Sequence, residues 1–466
     1  MKKICLMLVL ALICAVSVPV CFTASGDVLV DVTYSQTLAT GVNYNEAKAS
    51  INGNEQNLYY GEYKATADSD YEWVVYNKSV DGKLTLATVM DIANDFEATT
   101  GRKVLLAVNG DYFSGGSPVE SYVTNGVVRT KGAFAQKHCI GFDNNGKVVV
   151  GRMTETKYRL DVTVNNQTKS FFTDKLNAEP SENGIGIYTI PGTYSVENAG
   201  KYKINVADSY TATNPVMGTS TRMSKGTAIN NDGFTINSSQ FWVVARGEAA
   251  TYFFDNVFYG AQVTYTEMPA GNFDGCSWVV GGYDILVNNG VVNTKCHTDN
   301  NGASGAPRTL LGVKADGTMF VCVDNGPSYG TSITVNQQAQ LAKDLGAQFA
   351  LELDGGGSST MIIRLNDKLE LRNTPTDGGM RKVAQAVMLV EKETSLPPDD
   401  TTKPDDTTKP VDPVPTEPDD TKNPDGDKEK PVISYKTAVI VCASCAAAAV
   451  LAVVCVIIVK KRRISR

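Results

Sequence analysis

Residues 437–459 run for 23 positions without a charge, and residues 460–466 then carry five Lys and Arg. Roughly 20 apolar residues suffice to cross a bilayer, and a basic flank stays on the cytoplasmic side. This pattern predicts one C-terminal transmembrane helix and a basic cytoplasmic tail. At the other end Lys2 and Lys3 precede an apolar run to Phe22, with small residues at Thr23, Ala24 and Ser25. A basic start, an apolar centre and a small-residue exit describe a signal peptide over 1–25. The expectation is a single-pass type I protein of the cell membrane, with residues 26–395 outside the cell.

Between body and membrane lies 396–436, in which Pro-Asp-Asp-Thr-Thr-Lys occurs at 398–403 and again at 404–409. Such a segment has almost nothing apolar to bury, so it is expected to be a disordered stalk. At about 3.1 Å per residue in polyproline geometry it would hold the body on the order of 100 Å from the membrane. The formal net charge is −7, despite the basic residues at both ends. An acidic body argues against a nucleic-acid partner, which requires a basic face. Two His in the whole chain make a zinc site built from His ligands improbable.

Four of the ten cysteines, Cys139, Cys276, Cys296 and Cys322, fall in the body. Outside the cell an even number admits disulfides with three pairings, and buried free thiols are an equal alternative. If one bridge forms, Cys276–Cys296 is the pairing expected.

The body reads as strands and turns. Asp/Asn-Gly turns at 143–146, 288–290 and 315–317 separate apolar runs, which is a hairpin signal. Val89, Ile92, Ala93 and Phe96 follow a helical stripe. A second helix is expected from about Val335 to Leu345, opened by Thr334 with Gln337 and closed by Gly346. Residues 152–240 are polar and read either as an inserted subdomain or as long loops.

Three nearly continuous apolar runs end in acidic, glycine-bearing turns. VLLAV runs into Asn109, Gly110 and Asp111; TMFVCV into Asp324, Asn325 and Gly326; QFALEL into Asp354 and Gly355, Gly356, Gly357, Ser358, Ser359 and Thr360. Such runs predict central strands buried on both faces, with polar groups gathered at their ends. The triple glycine lets backbone approach a ligand, and successive amides there can form a nest for an anion. It is not a nucleotide phosphate loop, because no Gly-Lys-Ser/Thr follows and TMIIRL reads as a strand. Arg308 and Arg381 each precede an apolar strand and could clamp a phosphate if they face these turns. For His138 and His297 a hydrogen-bonded structural role is expected.

In their order and wording these motifs resemble the phosphodiester glycosidase family. The residues that carry the resemblance are NGDYF at 109–113, PRTLLGVKADG at 307–317, VDNGPSYG at 323–330 and LELDGGGSSTM at 351–361. TGVNY at 40–44, VVGGYDILVNNG at 279–290 and RKVAQAVML at 381–389 support it. The resemblance implies an α+β fold, a sheet-rich single catalytic domain with few helices over 26–395. It also implies a hydrolase of the glycosidic bond in a sugar-1-phosphodiester, N-acetylglucosamine-1-phosphodiester-like, giving free sugar and a phosphomonoester. By position it has Asn109, Asp111, Arg308, Asp324, Asp354 and the 355–359 turn lining the site, with Asp354 or Asp111 as the expected catalytic carboxylate and Asp324 as its partner or as a ligand-orienting residue. Asn109, Arg308, Gly355, Gly356, Gly357, Ser358 and Ser359 would bind substrate and phosphate. Family members often have Val-Asp-Gly at 324–326, Glu at 337 and His at 306, where this chain has Asp-Asn-Gly, Gln337 and Ala306. No cofactor is required, although clustered carboxylates suit a divalent cation such as Ca²⁺. The expected partners are a phosphoglycan or other sugar-phosphodiester substrate and the membrane. Two further readings stand beside the glycosidase: a non-catalytic carbohydrate-binding or adhesion protein, and a phosphodiesterase cutting P–O.

Overall fold

The computed structural model describes residues 29–393 apart from 52, 81–82, 133–136, 144, 196–201, 208–218, 221, 225–233, 237–239, 258–260, 298–304 and 327–331. The signal peptide, stalk, membrane span and tail read from the sequence therefore lie outside the described residues. Among the described residues no helix is long and apolar enough to cross a membrane.

The alternation of side chains along the central strands sets the architecture. In Arg308–Lys314, Leu311 and Val313 point to one core and Leu310 to another. In Met319–Asn325, Val321 and Val323 join the first core, while Phe320 and Cys322 join the second. A strand with period 2 and apolar residues on both faces must be covered on both faces. These strands sit inside an eight-stranded antiparallel sheet. Its order runs Leu29–Ala39, Val42–Ile51, Asn54–Tyr63, Met319–Asn325, Arg308–Lys314, Ala347–Leu353, Ile285–Asn288, Val291–Val292. The expected hairpins at 288–290, 315–317 and 143–146 are all present.

One face of this sheet shares the largest core with two five-stranded sheets. The first has Val104–Asn109 at its centre, every residue buried, between Met361–Leu365 and Ala386–Glu391. The second contributes Tyr122, Ile140, Phe142, Trp278 and Val280. Helix α1 (Val89–Thr100) lays Val89, Ile92, Ala93 and Phe96 on the same core, with Thr88 capping its start. A helix the sequence reading did not anticipate, α2 (Gly247–Asn256), buries Ala249, Ala250 and Phe253. The opposite face of the large sheet is covered by α3 (Val335–Asp344), through Val335, Ala339, Leu341 and Ala342. A capping box joins Thr334 and Gln337, so Gln337 serves the helix start.

Strands between 156 and 269 pair with one another and hold a separate core of Leu160, Val162, Ile187, Val243, Phe253 and Val263. All four body cysteines are free and buried. The expected Cys276–Cys296 bridge is therefore not formed. Cys276 packs with Phe273 and Cys139 in one cluster, whereas Cys296 belongs to the core beneath α3.

Candidate functional site

The ends of the apolar strands are tied together by one buried amide. Asn109, fully buried, donates from Nδ2 to the Asp354 carbonyl at 2.6 Å. Its Oδ1 accepts the Thr309 hydroxyl at 2.9 Å and the Thr360 amide at 3.1 Å. The Asp354 amide in turn donates to the Gly110 carbonyl at 3.0 Å. Asn109 therefore bolts three chain segments together, and it does not line the cleft that they open.

That cleft has a volume of about 430 Å³ and is lined by Tyr112, Arg308, Asp354, the three glycines and Arg381, among others. Glycine is required along its wall. Gly356 has φ +60°, in the left-handed region. A methyl on Gly355 would stand 2.9 Å from the Pro307 carbonyl, and one on Gly357 would overlap the Asp377 carboxylate and the Arg381 guanidinium. The anion nest expected of this turn is not formed by the amides of residues 355, 356, 358 and 359. They donate to Asp354 Oδ1, the Pro307 carbonyl, the Gly355 carbonyl and the Gly356 carbonyl. The Ser358 and Ser359 side chains are also fully buried behind the turn.

Positive charge on the wall comes from two arginines on different elements. Arg308 is buried; its Nε donates to the Ile333 carbonyl at 3.2 Å, and its Nη1 lies 3.6 Å from Glu352 Oε1. Arg381 donates from Nε to Asp377 at 2.8 Å and from Nη1 to the Ser358 hydroxyl at 3.4 Å. Both arginines line the cleft together with Asp354, which is the condition set for a phosphate clamp as far as the Asp354 turn is concerned.

Buried carboxyls surround this wall. Burial raises Asp354 to about 6, against the lowering pull of the Ser358 hydroxyl, Arg381, the Gly355 amide and Arg308. Asp111 and Asp324 are buried and are not among the residues that line the cleft. Burial raises Asp111 to about 8, although the Glu120 amide donates to its Oδ2 at 2.7 Å. Asp324 is raised to about 8 by burial, and stands opposite Arg308 in the strand ladder. Asn325 is structural: its Oδ1 accepts the Thr374 amide at 3.0 Å.

Sequence reasoning missed Glu352, which is fully buried in a strand that is otherwise apolar apart from Gln348. The signal was present, since a charge inside a buried run requires a partner. Tyr112 donates to Glu352 Oε1 at 2.8 Å, linking it to the cleft wall. On the other side His297 Nδ1 lies 3.0 Å from Asp284 Oδ2 and 3.4 Å from Glu352 Oε2. His297 thus has the hydrogen-bonded role expected of it. His138 is half-buried, and burial lowers it below the usual imidazole range. Among the described residues the grouping with metal-ligand spacing is Asp284, His297 and Glu352, not the Asp111, Asp324 and Asp354 set to which Ca²⁺ was matched from sequence.

Residues 200–390 match the family model described as phosphodiester glycosidase. That is a hydrolase family, and the matched range contains the Arg308, Asp324 and Asp354 motifs. Asn109 and Asp111 lie outside it and are brought to the matched region by the fold. No curated protein matches the chain. Among solved structures, a hypothetical protein from Synechocystis is similar at 16% identity and a TM-score of 0.47, covering 78% of this chain. The chain spans 64% of the length of that protein. The zebrafish N-acetylglucosamine-1-phosphodiester alpha-N-acetylglucosaminidase catalytic domain, auto-inhibited by pro-peptide, is similar at 12% identity and a TM-score of 0.39. That match covers 78% of this chain and 88% of the zebrafish one.

Proposed function

We propose that this chain hydrolyses the glycosidic bond of sugar-1-phosphodiesters, N-acetylglucosamine-1-phosphodiester-like, at the cell surface, anchored by its C-terminal span. The observation that carries the reading is a cleft in which Asp354 shares a glycine-floored wall with two arginines, while the other lining carboxyl, Asp377, is paired with Arg381. Arg308 and Arg381 hold the phosphodiester, whose negative charge they match. A sugar-1-phosphate diester is already a good leaving group, so the demand falls on the anomeric carbon, where positive charge develops. Asp354 is the residue for that demand: ionised, it takes a proton from water as the water oxygen bonds the anomeric carbon. The C–O bond to the phosphate oxygen breaks, and the electron pair leaves with the phosphomonoester. Asn109 holds the Asp354 turn in place, Asp324 stands in the strand ladder opposite Arg308, and Asp111 fixes the backbone at Glu120. Gly355, Gly356 and Gly357 keep the wall open for the substrate.

The test is hydrolysis of an N-acetylglucosamine-1-phosphodiester by the purified full-length chain in water enriched in heavy oxygen. Label in the free sugar supports C–O cleavage. Label in phosphate, with sugar-1-phosphate released, makes the chain a phosphodiesterase. No turnover across a panel of sugar phosphodiesters, with glycan binding retained, favours the adhesion reading.

A further inference from the structure

We propose that Asp284, His297 and Glu352 form a binding site for one divalent transition-metal ion of the zinc type, beside the cleft. The three residues come from separate parts of the chain, and each offers one ligand atom, all within 4.8 Å of one another. The two spacings from His297 are those of a coordination shell. Metal–ligand bonds of about 2.0–2.2 Å place neighbouring donors about 3.0 Å apart at right angles and about 3.4 Å apart in a tetrahedron. His297 Nδ1 stands 3.0 Å from Asp284 Oδ2 and 3.4 Å from Glu352 Oε2.

The second, independent observation is an orphaned oxygen. Both Tyr112 and Arg308 address Oε1 of Glu352, at 2.8 and 3.6 Å. Oε2 is left without a hydrogen bond, although the side chain is fully buried, and it is aimed at His297 Nδ1. A proton on Nδ1 is directed best at one carboxylate; a cation seated there engages both and relieves the orphan. One imidazole nitrogen with two carboxylate oxygens suits zinc or manganese, whereas Ca²⁺ takes six to eight oxygens. Asp284 and His297 are only partly buried, which leaves an entry path. By fixing Glu352, the ion would also fix the two cleft residues that Glu352 holds, Tyr112 and Arg308. This inference rests on ligand geometry and stands whatever reaction the cleft performs.

The experiment is calorimetric titration of Zn²⁺ into the full-length chain after chelator treatment and dialysis, with Co²⁺ substitution followed by its visible spectrum. One ion per chain is expected, with a higher melting midpoint in its presence. Affinity should fall roughly 100-fold or more in His297→Ala and in Asp284→Asn. Asp284→Asn preserves shape at a partly exposed position, so it decides the matter if His297→Ala fails to fold. Absence of saturable Zn²⁺ binding overturns the proposal. So does unchanged affinity in the folded variants, or Ca²⁺ binding in place of Zn²⁺. Binding is read directly, so an inactive cleft leaves the outcome intact.

Discussion

Asp354 is held between two opposing influences: burial disfavours its charge, while the Ser358 hydroxyl, two arginines and the Gly355 amide favour it. An asparagine can keep the Oδ1 contact to the Gly355 amide but cannot accept a proton from water. Asp354→Asn should therefore abolish turnover while changing stability by no more than about 1–2 kcal/mol. Retained hydrolysis by a folded variant would remove Asp354 from the proposed chemistry. Arg381 differs from Arg308 in being partly exposed and paired with Asp377, itself partly exposed. Arg381→Ala should raise KM by roughly 10–100-fold, with a smaller change in kcat and a stability change within about 0.5 kcal/mol. An unaltered KM would show that this guanidinium does not touch the diester.

At the scale of elements, the glycine turn is a spacing device. It passes backbone between the Pro307 carbonyl and the Asp377–Arg381 pair with no room for a methyl at Gly357. Gly357→Ala should displace Arg381 and reproduce the KM effect of Arg381→Ala, at a stability cost of only about 0.5 kcal/mol, because the displaced atoms are the ends of flexible, partly exposed side chains. Steady-state kinetics with wild-type KM would show that the turn yields without moving the arginine. Helix α3 covers the sheet face opposite the largest core, and its start depends on the Thr334–Gln337 capping box. Thr334→Ala should cost about 1 kcal/mol in denaturant unfolding. A Glu at 337 could make the same reciprocal bond, so Gln337→Glu should leave the cap intact.

Over the whole molecule, burial of acids has a consequence for pH. Burial raises Asp111 and Asp324 to about 8 from an ordinary value of 3.8. From about pH 4 to pH 8 the native chain thus holds protons that the unfolded chain has lost, and stability falls as pH rises through that window. The lowered His138 acts in the opposite sense, but only below the usual imidazole range. Melting midpoints should be higher near pH 5.5 than near pH 8.5. A midpoint that rises over the same interval would show that these carboxyls are ionised and compensated in the native state.

Much of this was legible along the chain. Asp/Asn-Gly turns pointed to the hairpins and continuous apolar runs to the doubly buried strands, because turn chemistry and strand burial leave local signals. Helices α1 and α3 announced themselves by stripe and cap; α2, ten residues with no side-chain cap hydrogen bond, did not. Motif order also pointed to Asp354, Arg308 and the glycine wall. What the sequence could not supply was depth and direction. Asn109, Asp111 and Asp324 have the same local appearance as Asp354, yet only packing puts Asp354 on the cleft wall and leaves the other three buried away from its lining. Nor could spacing along the chain reveal Glu352 with Asp284 and His297, or the separation of Cys276 from Cys296. Those relations join residues far apart in sequence, and only the closing of sheets over shared cores decides which of them meet.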